Sequence, residues 1–245
     1  MKKYFGYIFV IICFICCTLV GRSLPNQSTI KHAMPPNNNL HKNLEKLKKE
    51  EVSKCAYFTK DILNLAKKDK YFFYIVDKTH YLPKDYIPLD LEGQNVKVRK
   101  DTLEAFNKMQ AAAKKDNINI WILSGFRSYD RQKFLFDRSV KTKGVEHANK
   151  YLAYPGSSQH QLGTAVDINS VENSFVDTKE YAWLKKNAEK FGFSLSFPEK
   201  QEIKTGFAFE PWHYRYITPE GAAIQKQYFN DSQVDFLDAL NACLK

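Results

Sequence analysis

Two of the six histidines in this 245-residue chain have neighbours able to take part in chemistry. His160 lies in Ser157-Ser158-Gln159-His160-Gln161-Leu162-Gly163-Thr164-Ala165-Val166-Asp167, and His213 closes Glu210-Pro211-Trp212-His213. Two imidazoles and the Asp167 carboxylate make a nitrogen, nitrogen and oxygen donor set suited to one tetrahedral zinc ion at about 2.0–2.2 Å. Three protein ligands leave the fourth position for water, which is the arrangement of a catalytic site. Zinc lowers the pKa of that water to about 7, and a carboxylate that is not a ligand can take its proton. Glu210 suits that role. Each signal alone has a plainer reading: a turn at His160-x-x-Gly163, a strand-end cap at Asp167, a buried hydrogen-bonded pair at Glu210 and His213. Their combination carries the argument. His32, His41 and His80 fall in polar segments and His147 in a Lys-rich helical stretch, and all four read as solvated rings.

Chain geometry must bring these groups together. Ala165 to Ile168 reads as a short strand on which Gly163, Ala165 and Asp167 share one face, with Thr164, Val166 and Ile168 on the other. The two small residues leave room for something bulky above the carboxylate. Glu210 and His213, three apart, meet at one site only across a bend, which Pro211 permits. Around them, Tyr71 to Val76 reads as a strand and Leu82 to Leu91, with Pro83 and Pro88, as an extended loop. Asp101 and Glu104 form a capping pair ahead of a helix marked by Leu103, Phe106, Met109 and Ala113. A strand over Ile118 to Leu123 runs into Ser124-Gly125-Phe126-Arg127, and a second helix begins near Ser128. A third helix starts at Thr178, carries Tyr181, Leu184, Ala188 and Phe191 on one face, and stops at Gly192. Further strands are expected at Phe193 to Phe197 and His213 to Ile217, and helices from Thr218-Pro219 and Ser232. The irregular order of helices and strands predicts an α+β fold, a single domain with a small antiparallel sheet flanked by helices.

In order along the chain, Leu82-Pro83-x-x-Tyr86, Ser124-Gly125-Phe126-Arg127-Ser128-Tyr129-x-x-Gln132, Pro155-Gly156, Ser158-x-His160-x-x-Gly163-x-Ala165-x-Asp167 and Glu210-x-Trp212-His213 stand out. So do Trp183-Leu184, Gly192-Phe193, Thr205-Gly206 and Arg215-Tyr216. The set resembles the zinc D-alanyl-D-alanine carboxypeptidases of the VanY type, with their L,D-carboxypeptidase and D-Ala-D-Ala dipeptidase relatives, over roughly residues 70–240. The resemblance implies His160, Asp167 and His213 as ligands of one Zn2+ and Glu210 as general base. It implies Arg127 as the grip on a substrate's terminal carboxylate, with Gln132 and Ser158 at substrate-contacting positions. Phe126 stands where Tyr is common, and Gln159 where Glu is common. A guanidinium suits the arginine's task, because its planar fork binds a carboxylate bidentately.

The resemblance thus points to removal of the C-terminal D-alanine from peptidoglycan stem peptides. An L,D-carboxypeptidase or dipeptidase of the same fold is the alternative within that chemistry, and a non-catalytic cell-wall-binding module the alternative outside it. A monomer is expected.

Composition bounds the partner. At 44% hydrophobic and 26% charged, the chain can bury a core. Lys2 and Lys3 precede an uncharged run from Tyr4 to Val20, the layout of an export signal cleaved near Ser23 or of an uncleaved anchor. The net charge of +10 falls to +7 without residues 1–23, which hold Lys2, Lys3 and Arg22 and no acid. Together these favour an exported protein of the periplasm or cell envelope facing an acidic wall polymer, touching membrane only through an uncleaved leader, with no nucleic-acid partner. Residues 24–39, rich in Pro and Asn, read as a polar tether, and residues 40–245 as the folded domain, opening with a helix on Leu40, Leu44, Leu47 and Val52. Three of five cysteines lie in the leader. Cys55 and Cys243 remain, as a disulfide worth roughly 4–5 kcal/mol at most in the chain-entropy model, or as two buried thiols.

Overall fold

The computed structural model describes residues 55–244 together with Lys42, Lys46 and Lys49. Leader and tether lie outside the described residues, as does most of the helix expected near Leu40, of which Lys42, Lys46 and Lys49 are helical. Residues 47–245 make one compact unit, and the architecture is that unit's.

The chain runs α1 (Lys60–Lys68), β1 (Leu91–Glu92), β2 (Val98–Arg99), α2 (Lys100–Lys115), β3 (Ile122–Ser124), α3 (Tyr129–Lys143), α4 (Val145–Tyr151), β4 (Ala165–Ile168), α5 (Lys179–Asn187), β5 (Phe193–Leu195), α6 (Glu202–Thr205), β6 (His213–Tyr216), α7 (Pro219–Phe229) and α8 (Gln233–Cys243). β3, β4, β6 and β5 lie side by side in that order, and every pair is antiparallel. β1 and β2 form a separate ribbon. This is the α+β architecture that the sequence predicts.

Strand alternation divides the main sheet between core and site. Val166, Ile168 and Tyr214 pack with Phe106, Met109, Ala113, Trp183 and Leu184, so α2 and α5 cover that face. Asp167 and His213, paired directly across β4 and β6, point to the other face. A second core of Phe58, Ile62, Phe72, Phe73, Ile217, Phe229, Phe236 and Leu240 joins α1, α7 and α8. Cys55 and Cys243 are disulfide-bonded, with Cα atoms 5.7 Å apart, across a sequence separation of 188.

Helix starts follow local chemistry. Ser128, Thr178, Thr218 and Ser232 each accept a backbone N–H with the side-chain oxygen, capping α3, α5, α7 and α8. α2 differs from expectation. Its cap is Arg99, and Asp101 lies in the first turn, where it favours the positive helix end without capping it. The Arg99 guanidinium instead joins Asp90 at 2.9 Å and Asp69 at 3.2 Å.

Tyr71 to Val76 is not a strand. A short 3-10 turn covers Lys70–Phe72, and the carbonyls that a ladder would use accept side-chain hydrogen bonds instead. Arg215 donates to the oxygens of Tyr71 and Phe72, and Asn241 to that of Phe73. β3 is shorter than predicted. Asn169, at φ 62, exchanges bonds with Trp121 through its side chain and backbone, which replaces the regular ladder there. Gly163 turns at φ 73, and a Cβ there would lie 3.0 Å from the Arg99 Cγ. The bulky neighbour for which this small residue leaves room is therefore Arg99.

Candidate metal centre

His160 sits in the 3-10 turn Gln159–Leu162, and its Nδ1 donates to the Gly125 carbonyl at 2.7 Å. That bond leaves the Nε2 lone pair facing the Asp167 Oδ2 at 3.2 Å. His213 opens β6 and presents Nδ1 to the Asp167 Oδ1 at 3.1 Å. The donor atoms of the three lie within 4.8 Å of one another, and all three residues are buried. The His160 and His213 rings meet edge to face at 4.8 Å. Two imidazole nitrogens and one carboxylate oxygen, converging in this way, fit a single zinc ion.

Glu210 precedes β6. The His213 N–H donates to the Glu210 carbonyl at 3.2 Å, closing a turn through Pro211 and Trp212 that supplies the expected bend. The Glu210 Oε2 then lies 3.6 Å from the His213 Nδ1, beside the ligand set. Arg127, at the junction of β3 and α3, brings Nη2 within 3.7 Å of the Asp167 Oδ2. The segment that holds Arg127 is tied to His160 in both directions: Gly125 accepts from its ring, and the Arg127 N–H donates to its carbonyl at 3.2 Å.

Burial sets the protonation states. It pulls His160 down to about 4, with Asp167 opposing, so this ring is neutral and ready to ligate. Burial pushes Glu210 up to about 7, and Asp167 adds to the rise against the pull of His213 and Arg127. A carboxyl poised there can both accept and return a proton near neutrality.

The site opens into a cavity of about 490 Å³ whose lining includes Arg127, Gln132, Ser158, Glu210 and Trp212. All the residues singled out from sequence thus lie together. Gln132 acts as a support: its Oε1 accepts from the Arg127 Nη1 at 2.9 Å, while its Nε2 donates to the Ala153 carbonyl at 2.6 Å. Ser124 takes a second Arg127 hydrogen at 3.1 Å. His147, read as solvated, is instead half-buried in the cavity wall against Tyr151. Of the aromatic trio near His213, only Trp212 lines the cavity, while Tyr214 and Tyr216 belong to the core side. The role of Gly125 went unread in the sequence. A Cβ there would meet the Lys97 carbonyl at 2.5 Å, so only glycine lets β3 approach β2 closely while aiming its carbonyl at His160.

A family model described as VanY, D-alanyl-D-alanine carboxypeptidase, matches residues 95–219. The chain belongs to this family. That span runs from β2 to the start of α7 and contains every ligand, Glu210 and Arg127. Among the relatives, the putative carboxypeptidase YodJ of Bacillus subtilis is 38% identical over 167 residues, which is 61% of this chain and 61% of that protein. The chain therefore matches about three fifths of that relative's length. The LdcB LD-carboxypeptidase superposes with a TM-score of 0.62 at 35% identity, over 67% of this chain and 84% of that one. A vancomycin-resistance D,D-pentapeptidase VanY, solved with Zn(II), gives a TM-score of 0.60 at 27% identity, over 68% of this chain and 99% of that one.

Proposed function

We propose that this chain is a zinc-dependent carboxypeptidase that removes the C-terminal D-alanine from peptidoglycan stem peptides. The observation that carries the reading is the placement of Glu210 beside His213 and of Arg127 beside Asp167 at one His160, Asp167 and His213 cluster, within one cavity. Zinc, when bound, polarises the scissile carbonyl and lowers the cost of charge on its oxygen. Arg127 supplies what a carboxypeptidase needs and an endopeptidase does not, a fork for a free terminal carboxylate. Its Nη1 donates to Gln132 and its Nη2 to Ser124, which holds the guanidinium in the cavity wall. We assign Ser158, in the lining of the same cavity, to contact with the peptide backbone. Glu210 takes the proton of the attacking water and delivers it to the departing amine nitrogen, so one group serves as base and then acid.

The second reading is an L,D-carboxypeptidase acting on tetrapeptide stems, favoured by the 35% identity to LdcB. Incubating the enzyme with pentapeptide and tetrapeptide stems and weighing the products separates the two. Loss of D-alanine from the pentapeptide alone supports the first reading, loss from the tetrapeptide alone supports the second, and loss from neither refutes both.

We also place the protein outside the cytosol, as a monomer, with residues 1–23 as leader, 24–39 as tether and 40–245 as the enzyme. The leader's charge pattern and the Cys55–Cys243 disulfide support this, since disulfides persist in oxidising compartments.

A further inference from the structure

Behind His213, away from Asp167, lies a buried polar ring. The Ser196 hydroxyl donates to the Gln159 Oε1 at 2.7 Å, the Gln159 Nε2 donates to the Gln233 Oε1 at 3.1 Å, and the Gln233 Nε2 donates back to the Ser196 Oγ at 3.2 Å and to the Ser194 Oγ at 3.0 Å. Gln159, Ser194, Ser196 and Gln233 are all buried, at 8%, 5%, 2% and 2% exposure. With its hydroxyl donating to Gln159, Ser196 accepts from Gln233, so the ring runs in one consistent direction and presents the Gln159 carbonyl oxygen to Ser196 and His213. That oxygen retains a lone pair facing the His213 Nε2 at 3.3 Å.

We infer that Gln159 is the positioning residue for the third metal ligand: its carbonyl oxygen holds the proton of His213 on Nε2 and so keeps the Nδ1 lone pair turned toward Asp167. This rests on the zinc reading above and deepens it. A metal-bound histidine is oriented by whatever its other nitrogen donates to. His160 uses the Gly125 carbonyl for this, and His213 uses a side chain that the ring of Ser196 and Gln233 locks in place. The ring also joins the metal site to α8, far along the chain, through Gln233.

The test measures zinc affinity of the whole chain by competition with a chromophoric chelator, together with the melting temperature of the metal-free protein. Gln159→Met keeps the length of the side chain and removes the acceptor, and it should raise the zinc Kd about 10–100-fold while the metal-free melting temperature stays within a few degrees. Gln159→Glu restores an acceptor and should recover most of that loss. A Met variant that binds zinc like the wild type, or a Glu variant no better than Met, overturns the inference. If the Met variant does not fold, Ser196→Ala carries the same test one bond further out: a rise in Kd of a few-fold supports the inference and no change overturns it. A wild-type chain that binds no zinc overturns the metalloenzyme reading itself, and the role of Gln159 falls with it.

Discussion

Glu210 and His160 respond to the same burial in opposite senses, and stability against pH separates them. His160, held at about 4 against an ordinary 6.5, is neutral in the fold, so its contribution to stability is lost as pH falls from 6.5 toward 4. Glu210, raised to about 7 from 4.5, keeps a proton that the unfolded chain gives up, so its contribution is lost as pH rises from 4.5 toward 7. In metal-free protein the two slopes oppose each other between about 4.5 and 6.5. Glu210→Gln removes one of them. Urea unfolding should then show stability rising with pH through that window, and at pH 8 the variant should exceed the wild type by up to about 3 kcal/mol. Equal stability at pH 8 would contradict the perturbation of Glu210. With zinc supplied, the same variant should retain the metal while turnover falls by several orders of magnitude. Arg127→Ala tests the other partner. It should lower kcat/KM about 10–100-fold on a peptide with a free terminus and leave an amidated analogue nearly unchanged, as the loss of a charge-assisted pair requires.

At the scale of elements, the segment between β3 and α3 sets the distance from metal to substrate grip. Gly125→Ala places a methyl 2.5 Å from the Lys97 carbonyl, so the segment must move. Because that segment bonds His160 at both its ring and its carbonyl, zinc affinity and Arg127 function should decline together, with stability lower by about 1–3 kcal/mol. Thermal melts, zinc titration and peptide kinetics on one variant check this, and decline of one function without the other would uncouple them. The same elements show what is legible in a sequence. β4, α5, α7 and α8 could be read because strand alternation and capping side chains are local features. Tyr71 to Val76 misled, since its aromatic pattern is equally that of a buried loop once Arg215 and Asn241, more than 140 residues away, take up its carbonyls. The ligands were legible through their spacing and their company. Gln159 stood out only as an unusual residue, because its meaning depends on Gln233, 74 positions on.

The molecule as a whole is closed by the Cys55–Cys243 bridge, which joins the segment before α1 to the end of α8 and spans the second core. Replacing both cysteines by serine should lower the melting temperature by about 5–15 °C while leaving kcat/KM unchanged, because the bridge acts on the unfolded chain and touches no site residue. A fall in activity at temperatures well below melting would show instead that the bridge shapes the cleft. The placement of β4 and β6 has a further consequence. Both are flanked on each side by another strand, so the backbone beneath Asp167 and His213 can loosen only if the edge strands peel away first. Two of the three donors therefore stand on backbone hydrogen-bonded from both sides, which fixes their separation whether or not an ion lies between them.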